Sequence, residues 1–286
     1  MPLVPTATVV GAARADGRGA AAFNVIQVEH AQAIVAGAER AGAPVILQLS
    51  QNAVRYHGAL RPIAAATRAV AELATTSVAL HLDHATERSL VEEAVELGFG
   101  SVMYDASALP YEENVTATAE VARACHGHDV WVEAELGEIG GKDGVHAPGA
   151  RTDPGEAAAY VAATGVDGLA VAVGTSHAML TRDAALDFAL ITALRDAVPV
   201  PLVLHGSSGV ADADLAAAVA AGMTKINIAT QLNKVFTGAA RERLAADPAL
   251  VDTRKYLGPA RDATAAEVAR LLGVLRSAPP TEGSPT

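Results

Sequence analysis

The sequence predicts an α/β protein folded as a single (β/α)8 barrel, and three observations carry that reading. Eight short strand-like runs punctuate the chain, Ala-rich amphipathic stretches separate them, and no glycine-rich nucleotide-binding turn follows the first run, which ends FNVIQVEH. Connections long enough to hold a helix imply parallel pairing, and eight repeats of strand then helix close a barrel. A doubly wound open sheet is the competing arrangement. The strand count and the missing fingerprint disfavour it.

In chain order the runs cover 19–25, 43–50, 77–84, 100–107, 128–136, 166–177, 200–209 and 224–230. Several are apolar at consecutive positions, as strands covered on both faces are. Between them, AQAIVAGAERAG (31–42), RSLVEEAVELG (88–98) and the stretch around 211–222 repeat apolar residues at helical spacing. Gly42 and Gly98 stand just before the next run, where a helix C-cap belongs. No composition break marks a second domain. A barrel domain with a C-terminal helix is expected over residues 1–276, and SAPPTEGSPT at the end makes 277–286 a disordered tail.

Of the 286 residues 51% are apolar, enough for a large core, while only 3% are aromatic, so that core consists of Ala, Val, Leu and Ile. Counting 21 Lys and Arg against 32 Asp and Glu gives a net charge of −11. An acidic, aromatic-poor chain lacks the footprint of a nucleic-acid binder. An anionic substrate would have to be met by a local device. The single cysteine, Cys125, excludes an internal disulfide and any multi-cysteine zinc cluster. No apolar run reaches the roughly 18 residues of a membrane span. The opening MPLVPTATVVGAAR puts its first positive charge after the apolar stretch, the reverse of a signal peptide, so a cytoplasmic protein is expected.

Barrel chemistry gathers at the C-terminal ends of strands, and three of those ends carry histidine: His84 in LHLDH, His177 in VGTSH and His205 in VLHG. They lie far apart in sequence, so only closure of the barrel brings them together. Three imidazoles on one rim form a zinc site with an open fourth position. Asp83 is a candidate proton carrier beside that site, or else an acceptor that orients a histidine ring. His81, deeper in the strand, reads as a hydrogen-bonded core histidine. HGSSG (205–209) and NIAT (227–230) end the seventh and eighth strands, where backbone N–H groups and a helix N-terminus commonly hold phosphate. Glu133 and Glu135 share one face of the fifth strand, and Asp105 ends the fourth. After them comes GEIGGKDGVHAPGARTDPG (137–155), a Gly-rich segment that reads as a lid or as a plain loop.

These residues together resemble the class II, metal-dependent ketose-bisphosphate aldolases, which include the fructose- and tagatose-1,6-bisphosphate aldolases. HLDHA, VEAELG-IGG, VGTSH, LHGSSG, INIAT and RKYLGPAR match that family's motifs in order, from about Phe23 to Arg261. The resemblance implies that His84, His177 and His205 bind a catalytic Zn2+, with Asp105 and Glu135 at a displaced or second divalent site. It implies that Asp83 exchanges a proton with the substrate's C4 oxygen. Gly206, Ser207, Ser208, Asn227, Ile228, Ala229 and Thr230 would hold the dihydroxyacetone phosphate half, with Asn24 and Ala178 also on the substrate. Ser50, and Arg261 from a neighbouring subunit, would grip the far phosphate. A monovalent cation near the phosphate and a homodimer or homotetramer are further implications.

The chain departs from the family at two places. The lid glutamate that moves the proton next to the carbonyl is replaced by Lys142 and Asp143, which leaves Asp143 or Glu138 for that task, or else a weakened step. The residue after the second histidine is Ala178 where the family has Gly. The expected activity is cleavage of a ketose 1,6-bisphosphate to dihydroxyacetone phosphate and an aldehyde such as glyceraldehyde 3-phosphate. Two alternatives stand beside it. One is an aldolase for another phosphorylated keto compound such as 6-phospho-5-dehydro-2-deoxygluconate; the other is a sugar-phosphate-binding barrel without turnover. Lys225 on the eighth strand is not needed as a Schiff base, because a metal-free route would leave three histidines unexplained.

Overall fold

The computed structural model describes residues 2–136, 151–175, 182 and 184–276. Eight parallel strands close a barrel in sequence order: β1 (Ala20–Asn24), β2 (Val45–Ser50), β3 (Val78–Ala85), β4 (Ser101–Tyr104), β5 (Trp131–Glu135), β6 (Gly168–Ala170), β7 (Leu202–Leu204) and β8 (Met223–Ile228), with β8 returning to β1. The helices are α1 (Thr6–Ala15), α2 (Val28–Ala41), α3 (Gln51–His57), α4 (Leu60–Glu72), α5 (Arg88–Glu96), α6 (Tyr111–His126), α7 (Pro154–Thr164), α8 (Phe188–Ala197), α9 (Asp212–Ala221), α10 (Thr230–Ala246) and α11 (Arg254–Arg276). The expected barrel is therefore the observed one.

Two differences from the sequence reading concern extent. The sixth and seventh runs were expected to be strands to 177 and 209, yet β6 stops at Ala170 and β7 at Leu204. Ladder pairing ends there, and Gly174 (φ 116°) and Gly206 (φ 67°) turn the chain out of extended geometry. The chain's start also forms a helix, α1, which the sequence reading left unassigned.

Side chains alternate across the sheet. Outward residues such as Phe23, Leu47, Leu80, Val132, Leu169 and Leu204 join the large core beneath the helices, alongside Ile34, Leu60, Leu194 and Leu271. Inward residues change character along the barrel axis. At the floor, Val9 and Val10 of α1 pack against Ala20, Ala22, Ile46, Ala79 and Trp131. Met103, Ala170 and Val203 form the layer above. Other inward side chains are polar and buried: Gln48, His81, Asp83, Glu133, Glu135, His205, Lys225 and Asn227. Small residues make room for this packing. A Cβ on Gly168 would sit 2.4 Å from the Trp131 ring, and one on Gly37 of α2 would sit 2.6 Å from the Ala265 carbonyl of α11.

The helix signals are local chemistry. Asp153 caps α7 by accepting from Gly155 and Glu156 N–H at 2.8 and 3.0 Å, with Pro154 at the first helical position. Gly42 closes α2 in the left-handed conformation, and Gly98 (φ 73°) follows α5.

His30 of α2 is buried and stacks on Phe236 of α10 with ring centroids 4.8 Å apart, and neither ring nitrogen has a hydrogen-bond partner. Burial lowers its pKa to about 4. A histidine with a depressed folded pKa takes up its proton mainly in the unfolded chain, so stability is lost as pH falls from about 6.5 toward 4. Replacing His30 by Leu should therefore gain about 2–3 kcal/mol relative to the parent between pH 7 and 4.5, measured by urea unfolding. A difference that does not change with pH would contradict this.

Candidate active site

The polar end of the barrel opens into a cleft of about 180 Å3, lined by residues from β1, β2, β3, β7 and β8 and the turns that follow them. His84 reaches it by an irregularity. Its backbone has φ 49°, and the β3–β4 register shifts between Leu82 and Ala85. Strict alternation would put His84 on the opposite face from Asp83; the left-handed residue brings both into the cleft.

Carboxylates fix both described imidazoles. His84 Nδ1 lies 2.8 Å from Asp105 Oδ2, and His205 Nε2 lies 2.9 Å from Glu133 Oε1. Each carboxylate can only accept, so the ring proton sits on the nitrogen that faces it. The remaining nitrogens, His84 Nε2 and His205 Nδ1, face each other 2.9 Å apart. Two imidazole nitrogens at that distance share a cation, either a proton or a metal ion. Burial opposes a charge on His84, but Asp83, the Asp105 hydrogen bond and Glu135 outweigh it and raise its pKa to about 10. Among the described residues, His84, Glu135 and His205 form a group compact enough for a metal ion, with one ligand atom from each lying within 4.8 Å of the others. The carboxylate–histidine pairs behind it are the usual support of a metal site. The donor set fits a divalent ion of the zinc type.

Asp105 and Glu135 therefore stand differently. Asp105 spends Oδ2 on His84 and Oδ1 on the Ser107 N–H and hydroxyl, at 3.1 and 2.6 Å. Its carboxyl is held far below the usual range: burial alone would raise it, but His84 and Ser107 prevail. Glu135 instead places a carboxylate oxygen within 4.8 Å of a nitrogen of each imidazole.

Behind His205 is a buried relay that the sequence reading did not find. Glu133 accepts from Lys225 Nζ at 2.7 Å as well as from His205, and Lys225 also donates to Asn227 Oδ1 at 2.8 Å. Lys225 and Glu133 are both wholly buried, so the lysine's charge is matched within the barrel rather than offered to substrate. Both residues face inward by simple strand parity, and that was the available signal. His81 takes the core role expected of it, bonded through Nδ1 to Ser101 Oγ at 2.8 Å and kept neutral by burial and then by Lys225.

Asp83 is 4% exposed, with Oδ2 held by Asn24 Nδ2 at 3.0 Å and Oδ1 near Asn227 Nδ2 at 3.4 Å. The structure brings Asn24, Ser50, Gly206, Ser207, Ser208, Asn227, Ala229 and Thr230 to the same cleft, and adds Gln48 and Asn52. Ser207 Oγ donates to the Asn227 carbonyl, and Ser208 Oγ accepts from Gln231 N–H at 3.1 Å, which ties the turn to the first turn of α10. Ile228 instead turns outward into the core. Arg261 lies on α11 beside Asp262 at 3.0 Å and does not line the cleft. His177, Ala178, Glu138, Lys142 and Asp143 lie outside the described residues. The chain leading to His177 is anchored by Thr175 Oγ1, which donates to the His205 carbonyl at 2.7 Å.

A family model described as fructose-bisphosphate aldolase class-II matches residues 4–279. The chain belongs to this family. It is an aldolase, a carbon–carbon lyase rather than a barrel without turnover, and the family's substrates are phosphorylated sugars. The aldolase is 41% identical over 267 residues to a Bacillus subtilis (strain 168) protein named probable fructose-bisphosphate aldolase, covering 92% of this chain and 94% of that one. It is 42% identical over 250 residues to the fructose-bisphosphate aldolase of Geobacillus stearothermophilus, covering 86% and 87%. Among solved structures, the YdjI aldolase from Escherichia coli K12 superposes with a TM-score of 0.84 at 31% identity, covering 96% of this aldolase and 98% of the other. No helix among the aldolase's described residues is long and apolar enough to cross a membrane.

Removing one member of a buried ion pair strands the other's charge, at a cost of about 3–5 kcal/mol. Lys225→Met should lower the melting temperature by on the order of 10 °C. Adding Glu133→Gln should recover part of that loss, because the orphaned charge goes with it. Additive losses in the double variant, read by differential scanning calorimetry, would show the pair to be uncoupled.

Proposed function

We propose that this aldolase is metal-dependent and cleaves a ketose 1,6-bisphosphate of the fructose or tagatose type to dihydroxyacetone phosphate and an aldehyde such as glyceraldehyde 3-phosphate. The observation that carries the reading is the meeting of two imidazole nitrogens 2.9 Å apart, each ring with a carboxylate behind it, beside Glu135 and Asp83. His84 and His205, with His177 from the following turn, would hold Zn2+, and Glu135 would serve a second or displaced divalent position with Asp105 behind it. A bound Zn2+ supplies a Lewis acid where negative charge develops during cleavage.

The protein's own groups supply the rest. Asp83, fixed by Asn24 and Asn227, is the group that exchanges a proton with the C4 hydroxyl. Gly206, Ser207 and Ser208 face the N-terminus of α10, where Ala229 and Thr230 open the helix without a side-chain cap. The helix dipole there suits the phosphate of the dihydroxyacetone phosphate half, with a monovalent cation alongside. Ser50, at the opposite side of the cleft, would meet the far phosphate, together with Arg261 from a second copy of the chain in a homodimer or homotetramer. Asp143 is assigned the proton on the carbon next to the carbonyl. Residues 1–276 act as one catalytic domain in the cytoplasm. The Lys142–Asp143 and Ala178 departures favour a second reading, a related aldolase for another phosphorylated keto substrate.

Dialysis against a chelator should abolish triose phosphate formation, and Zn2+ should restore it. Asp83→Ala should lower kcat by about 10²–10⁴-fold with little change in KM. Incubation with both C4 epimers and a panel of phosphorylated keto compounds assigns the substrate. Full activity of the metal-free protein would reject the mechanism.

A further inference from the structure

We propose that Gln51 is a positioning residue that holds His84 in its ligating conformation, an inference that rests on His84 binding metal. His84 is one of only two described non-glycine residues with a left-handed backbone, the other being Asp129. Such a conformation is strained and persists only where the surroundings over-determine it. Residues on both sides of His84 are fixed by bonds that serve this purpose. On the β4 side, Asp105 N–H donates to the Ala85 carbonyl at 2.9 Å, and its carboxylate holds the His84 ring.

On the β2 side the holder is Gln51. Its Oε1 accepts from the Thr86 N–H at 2.7 Å, and its Nε2 donates to Thr86 Oγ1 at 2.9 Å and to Glu87 Oε1 at 3.2 Å. Gln51 is 4% exposed and is the first residue of α3, whose preceding Ser50 caps the helix by accepting from Ala53 N–H at 3.2 Å. The ladder between β2 and β3 ends at the pair Ser50 and Asp83. The Gln51 amide therefore acts as one more rung, placed beyond the strands and pinned two residues after His84. Without it, Thr86 is free to move, and His84 can relax toward ordinary extended geometry, which turns its ring away from Asp83 and His205. The ladder below is untouched, so the effect falls on the metal site rather than on the barrel.

The test compares Gln51→Leu, Thr86→Ala and His84→Ala in the full chain. It measures Zn2+ affinity by competition with a chromogenic chelator, the visible spectrum of the Co2+-loaded protein, and thermal unfolding. Gln51→Leu should weaken Zn2+ binding by about 10-fold or more, alter the Co2+ spectrum, and leave the melting temperature within a few degrees. Thr86→Ala, which removes only the hydroxyl partner, should weaken binding less, in the same direction. Unchanged affinity and spectrum in Gln51→Leu, with zinc lost in His84→Ala, would overturn the positioning role. Should Gln51→Leu not fold, unchanged affinity in Thr86→Ala would overturn it instead. Zinc bound as tightly by His84→Ala as by the parent would sink the metal assignment itself.

Discussion

The upper half of the barrel depends on one carboxylate, Glu133, sealed where no water reaches it and shared between an ammonium and an imidazole. A lone carboxylate at that depth would be prohibitively costly, and so would a lone lysine. Joined to Lys225 and His205, each removes the other's penalty and the arrangement acquires a direction. Glu133 fixes which nitrogen of His205 carries the proton, and so which nitrogen faces the cleft. Lys225 extends the order to Asn227, and Asn227 to Asp83. Ring orientation, proton placement and amide orientation thus follow from a single buried pairing.

That dependence explains how the interior is layered. Alanines and glycines at the lower levels leave space for Trp131 and Met103, so the floor closes as an apolar plug. Ionisable groups then concentrate at the open end, where partners are available from neighbouring strands. A chain with so few aromatic residues fills its core with small aliphatic side chains, and neighbouring helices can lie close together, as α2 and α11 do across Gly37.

Much of this was legible in the order of residues. Strands buried on both faces write themselves as continuous apolar runs, and the glycine stops, strand-end histidines and small-residue turn after β7 are local signals. What could not be read were facts of backbone conformation and of partners far apart in the chain. The left-handed turn at His84 depends on contacts from β2 and β4, and no neighbour of His84 in sequence announces it. Asp105 and Glu135 look alike as acidic strand ends; the ring of His84 separates them, by hydrogen-bonding Asp105 while Glu135 stands with His84 and His205 in the metal-competent group. Lys225 invited suspicion as a nucleophile until its two acceptors were seen. Strand lengths were overread because apolar composition continues past the point where the ladder ends.

The amino-terminal helix has a different consequence. Val9 and Val10 stopper the cylinder from below, Thr6 bonds to Ser101, and the Pro2 carbonyl takes the Val78 N–H. Trimming those first fifteen residues would bare the underside of the cylinder, leaving Ala20, Ala22, Ile46, Ala79 and Trp131 as a thinner apolar seal between solvent and the charged pair.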